Sequence, residues 1–126
     1  PGAVERLTEA LAMQRELHAG PHPDLAEAIN NLAWAQRGAN DTAAAEPLYR
    51  EALAMNRQLL GEAHPTLAAG LNNLGFVHEA QGEYESAEAA YREALAMNRR
   101  LLGDSHPMIA VNLSNLAFVL YAEGKR

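Results

Sequence analysis

Three histidines, His22, His64 and His106, recur at an interval of 42 residues, each immediately before a proline. Imidazole is the commonest metal ligand and the usual acid–base group near neutral pH. A metal site needs its ligands to converge on one ion at about 2 Å. Side chains one repeat apart do not converge, so these histidines are expected to mark helix starts, and no metal is expected. His78 falls among apolar residues at helical spacing and reads as a core histidine with its hydrogen bond satisfied; His18 follows no pattern. Asn30-Asn31, Asn72-Asn73 and Ser114-Asn115 keep the same interval. A side-chain amide both donates and accepts. A ladder of amides can hold the backbone of an extended peptide without reading its side chains, or can bond neighbouring helices to one another. Trp34, Phe76 and Phe118 form an in-phase aromatic row, and Arg37, Glu79 and Tyr121 a mixed one. The aromatic row offers pockets for ligand side chains or packing between helices. There is no serine elbow, no glycine-rich phosphate loop after a strand and no pair of carboxylates sharing a pocket. With no cysteine there is no thiolate nucleophile, thiolate metal site or disulfide. Neither catalysis nor a cofactor is expected.

The elements that must carry these rows follow from the repeat. Tyr49–Thr66 and Tyr91–Met108 agree at 14 of 18 positions. A period of 20–50 residues signals an array in which each unit buries its apolar face on its neighbours. Each unit holds two helical stretches. The first begins at the His-Pro pair, where proline at the first helical position loses no intrahelical bond. Its apolar residues, such as Leu67, Leu71, Leu74, Gly75 and His78, keep helical spacing. Asn40, Gly82 and Gly124 end it with the residues that tolerate a left-handed cap. The second stretch has Asp41 or Glu83 near its start, where the helix dipole favours negative charge. Its stripe runs through Ala45, Leu48, Tyr49, Ala52, Leu53, Asn56, Leu59 and Leu60, and Gly61 or Gly103 stops it. Glu46–Arg50 and Glu88–Arg92 are surface i,i+4 pairs. No stretch alternates with period two. The expectation is an all-α protein of six helices, at 2–18, 23–38, 42–60, 65–81, 84–102 and 107–123. Pro47 is the local conflict: in the first turn or so of the third helix it is expected to cost one backbone bond or to start the helix late.

The period alone also fits HEAT or armadillo units. The small residues point elsewhere. Leu74-Gly75 stands opposite Ala87 and Tyr91, and Leu32-Ala33 opposite Ala45 and Tyr49, so two antiparallel helices can cross closely with an aromatic ring filling the wedge. This pattern resembles the tetratricopeptide repeat. The longer second helix, LLGEAHP and LLGDSHP, and the doublets in INNLA and LNNLG resemble the 42-residue kinesin light chain type. The resemblance covers essentially the whole chain. It implies an α-solenoid of helix pairs divided at 1–20 (a lone second helix), 21–61, 62–103 and 104–126 (a lone first helix). It also implies a non-catalytic protein-interaction scaffold, with the first helices lining a concave groove. The groove residues would be Asn30, Trp34, Arg37, Asn72, Asn73, Phe76, Glu79, Ser114, Asn115, Phe118 and Tyr121, bordered by Glu27, Ala69 and Val111, with Asn31, Asn73 and Asn115 on the rim. The family's carboxylate clamp needs lysine and arginine on the groove helices; Asn30 and Trp34 stand where its first lysine and asparagine would be, Val111 and Asn115 where its later lysine and arginine would be, and only Asn73 fits, so an acidic tail is not the expected ligand. The kinesin light chain taste for tryptophan flanked by acidic residues does not carry over, because the groove lacks a basic lining.

Sixteen acidic and ten basic side chains give a net charge of −6, and Lys125 is the only lysine. Phosphate neutralisation needs clustered Lys and Arg, so neither nucleic acid nor an anionic membrane is an expected partner. No apolar run is long enough to span a bilayer, and no signal peptide is visible. The cytoplasm is the expected compartment. The chain opens on Pro1 and reads as a piece of something longer. Val4, Leu7, Leu11 and Leu17 in the first helix, and Phe118, Leu120 and Tyr121 in the last, lack the neighbours they have in a longer array. Self-association through these terminal helices is the rival to a groove-binding role.

Overall fold

A computed structural model describes residues 2–124 of the chain, so Lys125 lies outside the described residues. Six helices run in order: α1 (Gly2–Leu17), α2 (Pro23–Gly38), α3 (Thr42–Leu60), α4 (Pro65–Ala80), α5 (Tyr84–Leu102) and α6 (Pro107–Ala122). There is no strand among the described residues. Each helix lies within a residue or so of its expected bounds.

The starts of α2, α4 and α6 share one device. His22, His64 and His106 are their N-caps, with proline in the first turn. Each imidazole Nδ1 accepts from the backbone N–H two residues on, at Asp24, Thr66 and Met108, at 3.1 Å in every case. One of the unsatisfied donors of a helix start is thereby met by a ring nitrogen, the task usually given to Ser, Thr, Asp or Asn. Asp41 caps α3 conventionally, accepting from the Ala44 N–H at 3.3 Å. Where α2 and α4 end, Asn40 (φ 65°) and Gly82 (φ 79°) take the left-handed conformation. The turn lets the Asp41 and Glu83 N–H groups donate back to the Gln36 and His78 carbonyls, both at 2.8 Å.

Pro47 does not delay α3. The helix starts at Thr42, and Pro47 lies inside it. The Asp41 cap fixes the first turn upstream of the proline, and the proline ring sits exposed. The cost is one i→i−4 donor, not a helix start.

Two compact units divide the chain, Pro1–Gly61 and Glu62–Arg126. In the first, α2 packs against both α1 and α3. Leu11, Leu25, Ile29, Leu32 and Ala52 form its core, with Val4, Leu7, Leu48 and Met55 packed on it. Arg15 of α1 and Glu51 of α3 join in a two-pronged ion pair, at 2.7 and 2.9 Å. In the second unit α5 packs against both α4 and α6. Ala87, Tyr91 and Leu95 of α5 form its core with Ile109, Leu116 and Val119 of α6. Burial of such side chains is worth roughly 1.5–3 kcal/mol each. The close crossing of α4 and α5 is set by Gly75. A Cβ there would meet Tyr91 Cε1 at 2.6 Å and Cδ1 at 2.8 Å. The corresponding Ala33 and Tyr49 of the first unit are likewise buried.

Candidate functional site

The first helices carry the expected rows, and each unit shows what they do locally. On the second unit, Phe76 of α4 and Phe118 of α6 are 43% and 55% exposed, and on the first Trp34 of α2 is 64% exposed. Rings this open are not core. Tyr121, one turn beyond Phe118, is exposed as well, while Arg37 and Glu79 at its matching positions are half-buried. Ser114 is exposed; Asn30, Asn73 and Asn115 are half-buried, and Asn31 is exposed.

Asn72 is committed to the packing of its own unit. Its Oδ1 accepts from the Asn112 side chain at 3.3 Å, and Asn112 Oδ1 accepts from the Asn98 side chain at 2.8 Å. Asn112 is fully buried and Asn98 nearly so. This chain of amides joins α4, α6 and α5. A buried amide without partners costs about 1–3 kcal/mol, so the three hold one another in place. Asn98 and Asn112 were not among the sequence candidates. Asn98 recurs as Asn56 and carried a signal, a polar residue in an apolar stripe. Asn112 carried none, because Ala28 and Gly70 occupy its place in the other units.

The mixed row has a second structural part. Glu79 Oε1 accepts from the Tyr91 hydroxyl at 2.9 Å. In the first unit the matching residues are Arg37 and Tyr49. An arginine cannot accept that proton, and among the described residues the buried Tyr49 hydroxyl has no hydrogen-bond partner. Burial pushes the Tyr49 phenol above its ordinary pKa, and the charge of Arg37 offsets part of the rise. His78 is buried, and its Nδ1 lies 2.7 Å from Glu83 Oε1.

The repeating histidines stay at their separate helix starts. His18 instead stacks on His22, with ring centroids 3.6 Å apart and planes 12° from parallel. With Asp24 they bring three possible metal-ligating groups within 4.8 Å of one another. The arrangement does not suit an ion. Imidazole lone pairs lie in the ring planes, so near-parallel rings do not point at one centre, and His22 Nδ1 already accepts from the Asp24 N–H. Beside the pair, a shallow cavity of about 440 Å3 is lined by Arg15, His18, Leu25, Glu51, Met55 and Gln58. Its charged groups serve each other. The hydrogen bond from Arg15 holds the Glu51 carboxyl below the usual carboxylate range against the opposing effect of burial.

The Tetratricopeptide repeat family matches residues 2–58 and 66–126. A crystal structure of a putative kinesin light chain from Podosopora anserina, with nearly identical TPR-like repeats, superposes with a TM-score of 0.88 at 24% identity, over 97% of this chain and 58% of that one. BtubC (BKLC) from P. vanneervenii superposes with a TM-score of 0.88 at 28% identity, over 96% of this chain and 48% of that one. The chain therefore spans about half the length of these structures. No curated protein sequence matches it. No helix among the described residues is long and apolar enough to cross a membrane.

Proposed function

We propose a function from one premise: the chain belongs to the tetratricopeptide repeat family, whose arrays mediate protein–protein interaction, and this one is a non-catalytic scaffold that binds an extended peptide or partner segment along its first helices. The observation that carries this reading is that first helices bear exposed rings at matching repeat positions, Phe76 and Phe118 in the second unit and Trp34 in the first. Aromatic side chains are among the residue types that most often anchor a binding interface. Asn30, Asn73, Ser114 and Asn115 supply amides and a hydroxyl beside them, and Arg37, Glu79 and Tyr121 flank the row. Asn72 serves this surface indirectly, by fixing α4 against α6. The ligand is expected to be neutral or mixed in charge, because among the described residues Arg37 is the one basic side chain of these rows. The cytoplasm is the proposed compartment; a chain without cysteine needs no oxidising one to fold.

The test selects binders from a random peptide library displayed on phage, using the 126-residue chain as bait. Selected peptides should lose about thirtyfold in affinity or more against Phe76→Ala/Phe118→Ala, the loss typical of a hot-spot truncation of 2 kcal/mol. Circular dichroism of the variant should be unchanged. Peptides that bind wild type and folded double variant equally would refute the reading.

A further inference from the structure

Glu79 differs from its acidic neighbours in the second unit. Glu83, Glu88 and Asp104 each lie against a histidine or an arginine, namely His78, Arg92 and Arg99. Glu79 is half-buried, its Oε1 accepts from the Tyr91 hydroxyl at 2.9 Å, and among the described residues it forms no ion pair. Partial burial takes water from a carboxylate, and a cation ordinarily makes up the loss. The unit keeps its cations elsewhere. Arg92, Arg99 and Arg100, the arginines among its described residues, all belong to α5, and neither α4 nor α6 carries a lysine or an arginine.

Phe76 lies three residues before Glu79 on α4, so the two side chains are neighbours on one face of the helix. Its ring is 43% exposed although α5 is packed against α4. The carboxylate beside it is held in place. Tyr91 lies against Gly75 and reaches Glu79 with its hydroxyl. A carboxylate offers about four lone-pair sites on two oxygens, so the bond from Tyr91 leaves acceptor capacity unused. In the first unit the same two positions hold Trp34 and Arg37. Equivalent rings therefore have opposite charges beside them.

We propose that Phe76 and Glu79 form a seat for one arginine of the partner segment, with the guanidinium over the ring and its N–H groups donating to the Glu79 carboxylate. This inference rests on the proposed function and names one residue of the segment bound there. Arginine suits both halves of the seat. Its flat guanidinium stacks on an aromatic face, and its fork of donors matches a carboxylate; the compact ammonium of lysine does neither as well. A net charge of −6 favours the approach of a cationic segment. The seat is particular to the second unit, because Arg37 beside Trp34 repels a cation.

The test uses peptides selected from a random library on phage with the full 126-residue chain and then synthesised. Peptides that weaken against Phe76→Ala/Phe118→Ala should share an arginine. Replacing that arginine by glutamine should lower affinity about tenfold or more, as expected for a bond between charged groups. Lysine in its place should recover part of the loss. Glu79→Gln should bind the arginine peptide as weakly as wild type binds the glutamine peptide, with no further loss when both changes are combined. Glutamine still offers Tyr91 an acceptor, so the circular dichroism and melting temperature of Glu79→Gln should match wild type. Peptides that need the rings but share no arginine would overturn the inference and leave the proposed function standing. So would an arginine that lysine replaces without loss, or arginine peptides that bind Glu79→Gln and wild type equally. Peptides indifferent to the ring variant would overturn both.

Discussion

Gly75 has room for its hydrogen and nothing more, since a Cβ would sit 2.6 Å from a ring carbon of Tyr91. Gly75→Ala should therefore destabilise the chain by about 1–3 kcal/mol despite alanine's better helix propensity, the range typical of overpacking. Urea denaturation measures it, and an unchanged or raised midpoint would show that Tyr91 can move aside. The crossing is legible in the sequence because a small residue and an aromatic one recur together, as Ala33 and Tyr49 do. The caps are legible only in part. The His-Pro pairs mark the helix starts, but the acceptor role of Nδ1 depends on a ring geometry that no pattern encodes. His64→Ala should cost about 1 kcal/mol, the usual worth of an N-cap, and His64→Asn should restore most of it. Thermal melts of the two variants will check the pair; equal losses would mean the imidazole acts by packing instead of capping.

At the scale of the helices, what joins α1 to α3 is the ion pair Arg15–Glu51, across 36 residues of sequence. Nothing local announces it, because its partners are brought together only when both helices have packed on α2. Glu51 is held below the ordinary carboxylate range, chiefly by the Arg15 hydrogen bond. The pair's stabilisation is thus fully present above the range where unfolded carboxylates titrate and is lost as pH falls through the depressed folded value. Both side chains are partly exposed, so its size should be under about 1 kcal/mol. The gap in urea midpoint between wild type and Glu51→Gln should be clear at about pH 7 and close towards about pH 3. A gap of constant size would place the effect in the shape of the side chain and not in its charge. Pro47 carries the opposite lesson: local propensity puts a helix start after it, and the Asp41 cap overrides that preference.

Each compact unit of the molecule has a three-helix arrangement and a core of its own. In repeat arrays stability is close to a sum of unit and neighbour terms. The segment 62–126 alone should therefore keep a helical spectrum while melting at a lower temperature than the full chain, as chains of about 60 residues are marginal. A random-coil spectrum would show that the second unit has no independent fold. The family and the six helices are legible because periodicity and packing residues repeat. The surface is less so. The rings of Trp34, Phe76 and Phe118 are readable as a row, but whether a row faces solvent or a neighbour depends on the packing of helices that repeat imperfectly. Asn72 shows the limit: it belongs to a recurring doublet, yet its partner Asn112 occurs in one unit only.

That solitary partner bears on how the chain avoids folding mistakes. Sequences as alike as Tyr49–Thr66 and Tyr91–Met108 give an apolar core little means of telling one helix from another during assembly. A wrong first helix against α5 would bring Ala28 or Gly70 opposite Asn98 in place of Asn112, and an amide would be shut away from water with nothing to bond. The penalty of about 1–3 kcal/mol falls on the mispaired state alone. The apolar replacement Asn98→Leu/Asn112→Leu should thus leave the native fold nearly as stable while admitting slipped pairings, seen as extra slow phases in stopped-flow refolding. Single-phase refolding as fast as wild type would show that the amides do no proofreading.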